Sequence, residues 1–265
     1  MSGFDTLPTV HTILSFLISG LLLVWQLFFS HRWRGWFVPA TLMVLLFLRL
    51  PNIVYNREIN PDESQMITQD LTLGRYDPVY FRSVDGTTAG PLDSYFLVLP
   101  SLFGLPFDYI TAHLMACLLT IVCLWLQYRA ARHWSGEQPV RLVLLPVMLT
   151  LGFTQDADFL HYNSELIAVV LLSGTYALYT RQTTTRALPR IGGLFLAGFL
   201  LGMVPFGKLQ GVPSAVIVVA FIAYDIVARS GITTRHKTSR VAALVAGLTT
   251  FPGPICVLYG RHGPM

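Results

Sequence analysis

Residues 55–93 read YNREINPDESQMITQDLTLGRYDPVYFRSVDGTTAGPLD. They hold Glu58, Asp62, Glu63, Asp70, Asp77, Asp85 and Asp93, half of the chain's 14 acidic residues. The stretch is bounded on both sides by long apolar runs. Over all 265 residues, 53% are hydrophobic and only 12% are charged, with a mean hydropathy of +0.57. A soluble domain carries about a quarter charged residues. The composition therefore predicts an all-α polytopic membrane protein whose acids are gathered into an ordered first external loop.

Upstream of the loop, Thr9–Ser30 and Phe37–Val54 are candidate crossings, each near the roughly 20 residues a span needs. Downstream, Tyr95–Phe107 is apolar but broken by Pro100, Gly104 and Pro106, which reads as a re-entrant or interfacial segment. Asp108–Gln127, Leu142–Thr154, Leu166–Tyr179, Ile191–Val204, Ala215–Ala228 and Val241–Tyr259 bring the expected spans to about eight. The alternate connections hold Arg32 and Arg34; Arg129, Arg132 and Arg141; Arg181, Arg186 and Arg190; and Arg229, Arg235, Lys237 and Arg240. These are twelve of the 18 basic residues, against the single acid Glu137. The opposite face receives the acidic loop and Asp156, Asp158 and Glu165. By the positive-inside rule the basic connections are cytoplasmic, so both termini and the loops 55–93, 155–165 and 205–213 are external. The expectation is one module over residues 1–265, in the plasma (inner) membrane of a bacterium, with the acidic face periplasmic. No N-x-S/T sequon marks a eukaryotic lumenal surface. The first apolar run lacks the basic flank and cleavage site of a signal peptide.

Within the loop, Asn60-Pro61-Asp62-Glu63 is a helix start, with Asn as N-cap, Pro in the first turn and acids facing the positive helix end. Glu63 at the third position would complete a capping box. Met66, Ile67 and Leu71 make an apolar stripe, predicting a short helix over Asp62–Leu73 that lies along the membrane and stops at Gly74. Elsewhere, Gly198-x-x-x-Gly202 predicts a close helix contact, and Asp225 with Arg229 an i,i+4 pair. His113 and the cysteines Cys117, Cys123 and Cys256 sit in apolar runs and read as packing residues. No Walker loop, dinucleotide fingerprint, zinc spacing or nucleic-acid module occurs, so nucleotide-sugar and nucleic-acid partners lack support.

The order of Arg57, Pro61-Asp62-Glu63, a surface helix, Gly74-Arg75-Tyr76 and Gly90-Pro91-Leu92 with Tyr95 resembles the first external loop of the GT-C glycosyltransferases. The likeness is to the dolichyl- and undecaprenyl-phosphate-sugar group, which includes protein O-mannosyltransferases and aminoarabinose transferases. Thr88-Ala89-Gly90-Pro91-Leu92 stands where that group commonly has Lys-Pro-Pro-Leu, so a cation is missing there. The resemblance implies inverting transfer of a sugar from a polyprenyl-phosphate donor to a hydroxyl of a lipid, glycan or protein acceptor. Asp62 is then the general base, with Glu63 beside it. Candidate phosphate ligands are Lys208, Arg49 and Arg75. Candidate substrate contacts are Asp158, Glu165, Tyr76 and Asp93. No cofactor is implied, although Asp156, Asp158 and His161 could offer a divalent metal three ligands. Members of the group are generally longer, so the chain corresponds to their N-terminal module. The competing expectations are a transporter or flippase for a lipid-linked or anionic solute, and a non-catalytic accessory subunit.

Overall fold

In the computed structural model, residues 9–29, 34–84, 89–183, 189–229 and 233–254 are described. Every regular element among them is helical. Each expected apolar run falls on a helix. The runs before the acidic loop form α1 (Thr9–Phe28) and α2 (Arg34–Val54). The later ones form α6 (Tyr109–Ser135), α7 (Glu137–Phe153), α9 (Glu165–Thr183), α10 (Ile191–Gly207), α11 (Val212–Ala228) and α12 (Thr234–Thr250). The loop itself supplies α3 (Pro61–Arg75), α4 (Tyr80–Ser83) and α5 (Pro91–Val98), and α8 (Ala157–Leu160) lies in the second acidic loop.

By length and composition alone, four helices are long and apolar enough to cross a membrane: Thr9–Phe28, Gly35–Val54, Tyr109–Ser135 and Leu209–Ala228. This is fewer than the eight expected. The reason is physical: α7, α10 and α12 have 17 residues each, a rise of about 25 Å against a hydrocarbon thickness of about 30 Å. The first four residues of α12 include Arg235 and Lys237, and α9 carries Glu165 and Arg181 at its ends. Several boundaries also move outward from the apolar runs. Helix α6 continues past Gln127 through the arginines to Ser135, and α7 begins at Glu137 rather than Leu142. The end of the last run, residues 255–259, lies outside the described residues.

Apolar burial builds two halves around a spine. In one half, Phe37, Leu45 and Leu48 of α2 pack with Leu124 of α6 and Leu144 and Met148 of α7. In the other, Leu194 and Leu201 of α10 pack with Val218 and Ile222 of α11 and Leu244 of α12. Helices α6 and α9 pack against each other between them. Above this spine, Met66 and Ile67 of α3 and Leu97 of α5 close onto Ala112, Ala116 and Ile167. The segment expected to be interfacial is α5 followed by a 3-10 turn over Leu99–Phe103, which ends at Gly104 with φ +81. Leu102 and Phe103 are exposed on it.

Gly198 and Gly202 do make a close helix contact, and the partner is α12. A Cβ at Gly198 would stand 2.1 Å from the Leu244 carbonyl oxygen, and one at Gly202 would stand 2.3 Å from that of Leu248. Gly247 answers from α12, where a Cβ would lie 2.0 Å from the Phe195 carbonyl. Backbone cannot yield as a side chain can. Gly198→Leu is therefore expected to lower stability by about 3 kcal/mol in detergent. Gly192→Leu, where nothing lies within 4 Å of the added Cβ, should leave the denaturation midpoint near wild type.

Candidate functional site

Helix α3 starts as its sequence predicts and then departs from it. Asn60 is the N-cap, with φ −141, and its Oδ1 accepts the Asp62 N–H at 3.0 Å. Its Nδ2 donates to Asp158 Oδ1 at 3.1 Å. One asparagine therefore ties the base of Asp62 to the second acidic loop. The Asp62 and Asp158 side chains are both exposed there. The helix continues through Gly74 to Arg75, with Tyr76 as C-cap.

Glu63 does not complete a capping box. It is 0% exposed. Its Oε2 lies 2.9 Å from His113 Nε2 on α6, and its Oε1 accepts the Tyr162 N–H at 2.8 Å. His113 and Tyr162 are buried in turn, so His113 is a partner in this network rather than simple packing. Burial sets the helix phase: Glu63, Met66, Ile67, Asp70 and Leu73 face inward. Two carboxylates thus share the apolar stripe, and Leu71 does not lie at its centre.

Asp70 and Asp93 extend the network. The Tyr162 hydroxyl donates to the Asp93 carbonyl at 2.9 Å. Asp93, at the third position of α5, accepts the Gly90 N–H on Oδ2 at 3.1 Å, which is the capping arrangement expected of Glu63. The same Gly90 N–H points to the Gly207 carbonyl of α10 at 2.9 Å. A Cβ on Gly90 would stand 2.1 Å from the Phe206 carbonyl oxygen, so only glycine allows this approach. Asp70 is 1% exposed and Asp93 is 0% exposed. Burial pushes Asp93 up to about 9; Gly90 and Lys208 oppose the shift, and Glu165 and Asp70 add to it. Burial pushes Asp70 up to about 7 against the Ser94 hydroxyl. The Tyr162 hydroxyl is likewise raised by burial and by Asp93 and Asp70.

Lys208 follows α10 and donates to Ser164 Oγ at 2.7 Å and to Glu165 Oε1. It is thus held by the second acidic loop. The three loops 55–93, 155–165 and 205–213 therefore meet at one end of the bundle, through Asn60–Asp158, Gly90–Gly207, Tyr162–Glu63 and Lys208–Ser164.

Other expected site residues stand apart. Arg75 and Tyr76 are exposed at the far end of α3. Arg49 is 2% exposed and closed inside the bundle, where its Nε donates to the Leu151 carbonyl at 3.1 Å. A lipid phosphate has no route to it in this arrangement. Glu63 and Asp93 are equally closed off, with their side chains turned to other groups of the protein. The metal set is not assembled either. Asp156 caps α8 by accepting the Asp158 N–H at 3.0 Å, and the buried His161 ring turns to the Ala157 carbonyl. Among the described residues, no three His, Cys, Asp or Glu side chains are grouped to hold a metal ion.

No protein family, curated protein or solved structure matches the chain.

The buried aspartates carry a pH signature. Their folded pKa values lie above the unfolded value of 3.8, so the folded chain binds more protons than the unfolded one. Their contribution to stability is fully present below about pH 4 and is lost as the pH rises through about 7 and about 9. The thermal midpoint in detergent should fall from about pH 5 to about pH 9. Asp70→Asn should flatten the fall near neutrality and Asp93→Asn its alkaline part. Unaltered slopes in both variants would show that neither carboxyl holds a buried proton.

Proposed function

We propose that the chain is an integral-membrane glycosyltransferase that takes its sugar from a polyprenyl-phosphate donor and works on the acidic face. In this reading α1, α2, α6, α7, α9, α10, α11 and α12 all cross the bilayer. The acidic connections lie on the external side and the basic ones on the cytoplasmic side. The observation that supports the reading is the Asn60 side chain, which accepts the Asp62 N–H and donates to Asp158, so that two exposed acids from separate loops are joined through one residue.

Each residue then has a chemical part. The acceptor hydroxyl gives its proton to Asp62 as its oxygen attacks the anomeric carbon. The bond from that carbon to the phosphate oxygen breaks with inversion, and the polyprenyl phosphate leaves with the electron pair. That leaving group is already a stabilised anion, so one base and one cation suffice. Lys208 is the cation. Its ammonium donates to Ser164 and Glu165, and a phosphate arriving there exchanges for Glu165. Asp158 contacts the sugar or acceptor. Glu63, through His113 and Tyr162, fixes the turn on which Asp62 stands.

A second reading, a proton-coupled transporter for a lipid-linked or anionic solute, is favoured by the buried Glu63, Asp70 and Asp93 carboxyls. Transporters place such groups where protons are exchanged.

Transfer from a radiolabelled polyprenyl-phosphate sugar in membranes separates the two. Asp62→Asn should lower kcat by about 10²–10⁴-fold with KM little changed, the range typical of a lost general base. Lys208→Ala should act mainly on KM for the donor. Full transfer by Asp62→Asn would remove the base. Solute flux across vesicles without any transfer would favour the transporter.

A further inference from the structure

Arg49 is among the largest fully buried side chains of the described residues, and the chemistry proposed for the acidic face does not use it. It lies on α2 near Val54, where that helix ends. Helix α7 closes over it. The Arg49 Nε–H donates to the Leu151 carbonyl at 3.1 Å, and at the next pair of residues a Cβ on Gly152 would stand 2.4 Å from Leu48 Cδ1. Phe153 then stacks on Phe16 of α1, with ring centroids 5.1 Å apart. Three consecutive residues of α7 thus seal this part of the bundle.

Inside that seal the guanidinium is only partly satisfied. Arginine brings five N–H donors and stays protonated in proteins. Arg49 uses one of them at Leu151. Its terminal nitrogens, Nη1 and Nη2, meet no acceptor among the described residues, and no carboxylate there pairs with it. The ionisable side chain that its charge reaches is Cys117 of α6, and a thiol is neutral at pH 7. An unpaired charge shut away from water is strongly unfavourable, the more so in a membrane bundle. Water could accept the remaining N–H groups but would leave the charge standing. An anion answers both needs. The closure by α7 keeps out a phosphate that carries lipid chains, and a divalent oxyanion has more oxygens to satisfy than two nitrogens can serve. A monatomic, monovalent anion asks least of the site.

We propose that Nη1 and Nη2 of Arg49 hold a halide ion, chloride above all, inside the bundle between α2 and α7. The ion takes the place that a carboxylate has in a buried ion pair, and by neutralising the guanidinium it stabilises the seating of α7 on α2. It enters when α7 moves off α2. The site is independent of the reading given for the acidic face, and it is tested without any activity.

The test unfolds the full chain by heat in neutral detergent with sodium chloride, sodium bromide or sodium gluconate at equal ionic strength. Gluconate is too large to be enclosed. Chloride and bromide should raise the midpoint by several degrees over gluconate, and the rise should grow with halide concentration as mass action requires. Arg49→Met keeps a long side chain and removes the charge and the donors, so it should give one midpoint in all three salts. Arg75→Gln and Lys208→Ala, which remove other cations, should respond as the wild type does. Equal wild-type midpoints in the three salts would overturn the site and leave the guanidinium to water. A halide response that survives in Arg49→Met would place the ion elsewhere and overturn it equally. Should Arg49→Met fail to fold, wild-type crystals grown in bromide decide the matter. An anomalous peak within hydrogen-bond distance of Nη1 or Nη2 is expected, and its absence counts against the proposal.

Discussion

Glu63 is a carboxyl group with no access to water, and the acidic face depends on its being satisfied there. A polar group removed from water costs about 1–3 kcal/mol unless its oxygens find hydrogen-bond partners. Both oxygens find one, His113 on one side and the Tyr162 N–H on the other. Those partners come from α6 and from the second acidic loop, fifty and ninety-nine residues along the chain. One side chain thus fixes three separate parts of the sequence. Helix α3 cannot roll without stranding Glu63, so its neighbour Asp62 keeps its outward direction and Asn60 its place between the two loops.

The same inward roll of α3 carries Asp70 under the surface, seven residues on from Glu63. Asp93 has only the charge of Lys208 and the Gly90 N–H, and Asp70 only the Ser94 hydroxyl, to set against burial, which raises both and favours their protonated forms. Burial of charge here is a matter of proton occupancy as much as pairing. A face built this way is most stable under acidic conditions and weakens as those protons are lost.

Much of this arrangement is legible in the sequence, and the limits have a physical cause. The cap at Asn60, the proline at the first turn, the presence of α3 and the alternation of acidic and basic connections are local or compositional signals, and they read directly. The close α10–α12 contact is announced by glycine spacing, although its partner helix is not. Glu63 is different. At the third position of a helix, capping and inward burial make the same residue type sensible, and only the phase of the stripe separates them. Met66 and Ile67 fit a stripe continued by Leu71 or by Leu73. The second choice places Glu63 and Asp70 inside. Carboxylates are rarely buried, so a hydrophobic pattern steers toward the wrong phase. His113 is hidden for a related reason: in an apolar run it looks like packing until a carboxylate from another loop is set against it. Arg49 reads as a phosphate ligand from its position near a span end, and only the packing of α7 over it closes that route.

The first loop docks on the end of α10 through Gly90. Gly90 touches the end of α10 backbone to backbone, with the Gly207 carbonyl accepting its N–H. A Cβ there would run into the Phe206 carbonyl. The residue immediately after Gly207 is Lys208. In the glycosyltransferase reading, then, the cation stands across this seam, just past the carbonyl end of α10 on which the first loop docks. Its distance from Asp62 is held by the chain of contacts through Gly90, Asp93, Tyr162 and Glu63. Asp62 and Lys208 are far apart in the sequence, and the buried carboxyls between them make their separation a property of the fold rather than of either loop alone.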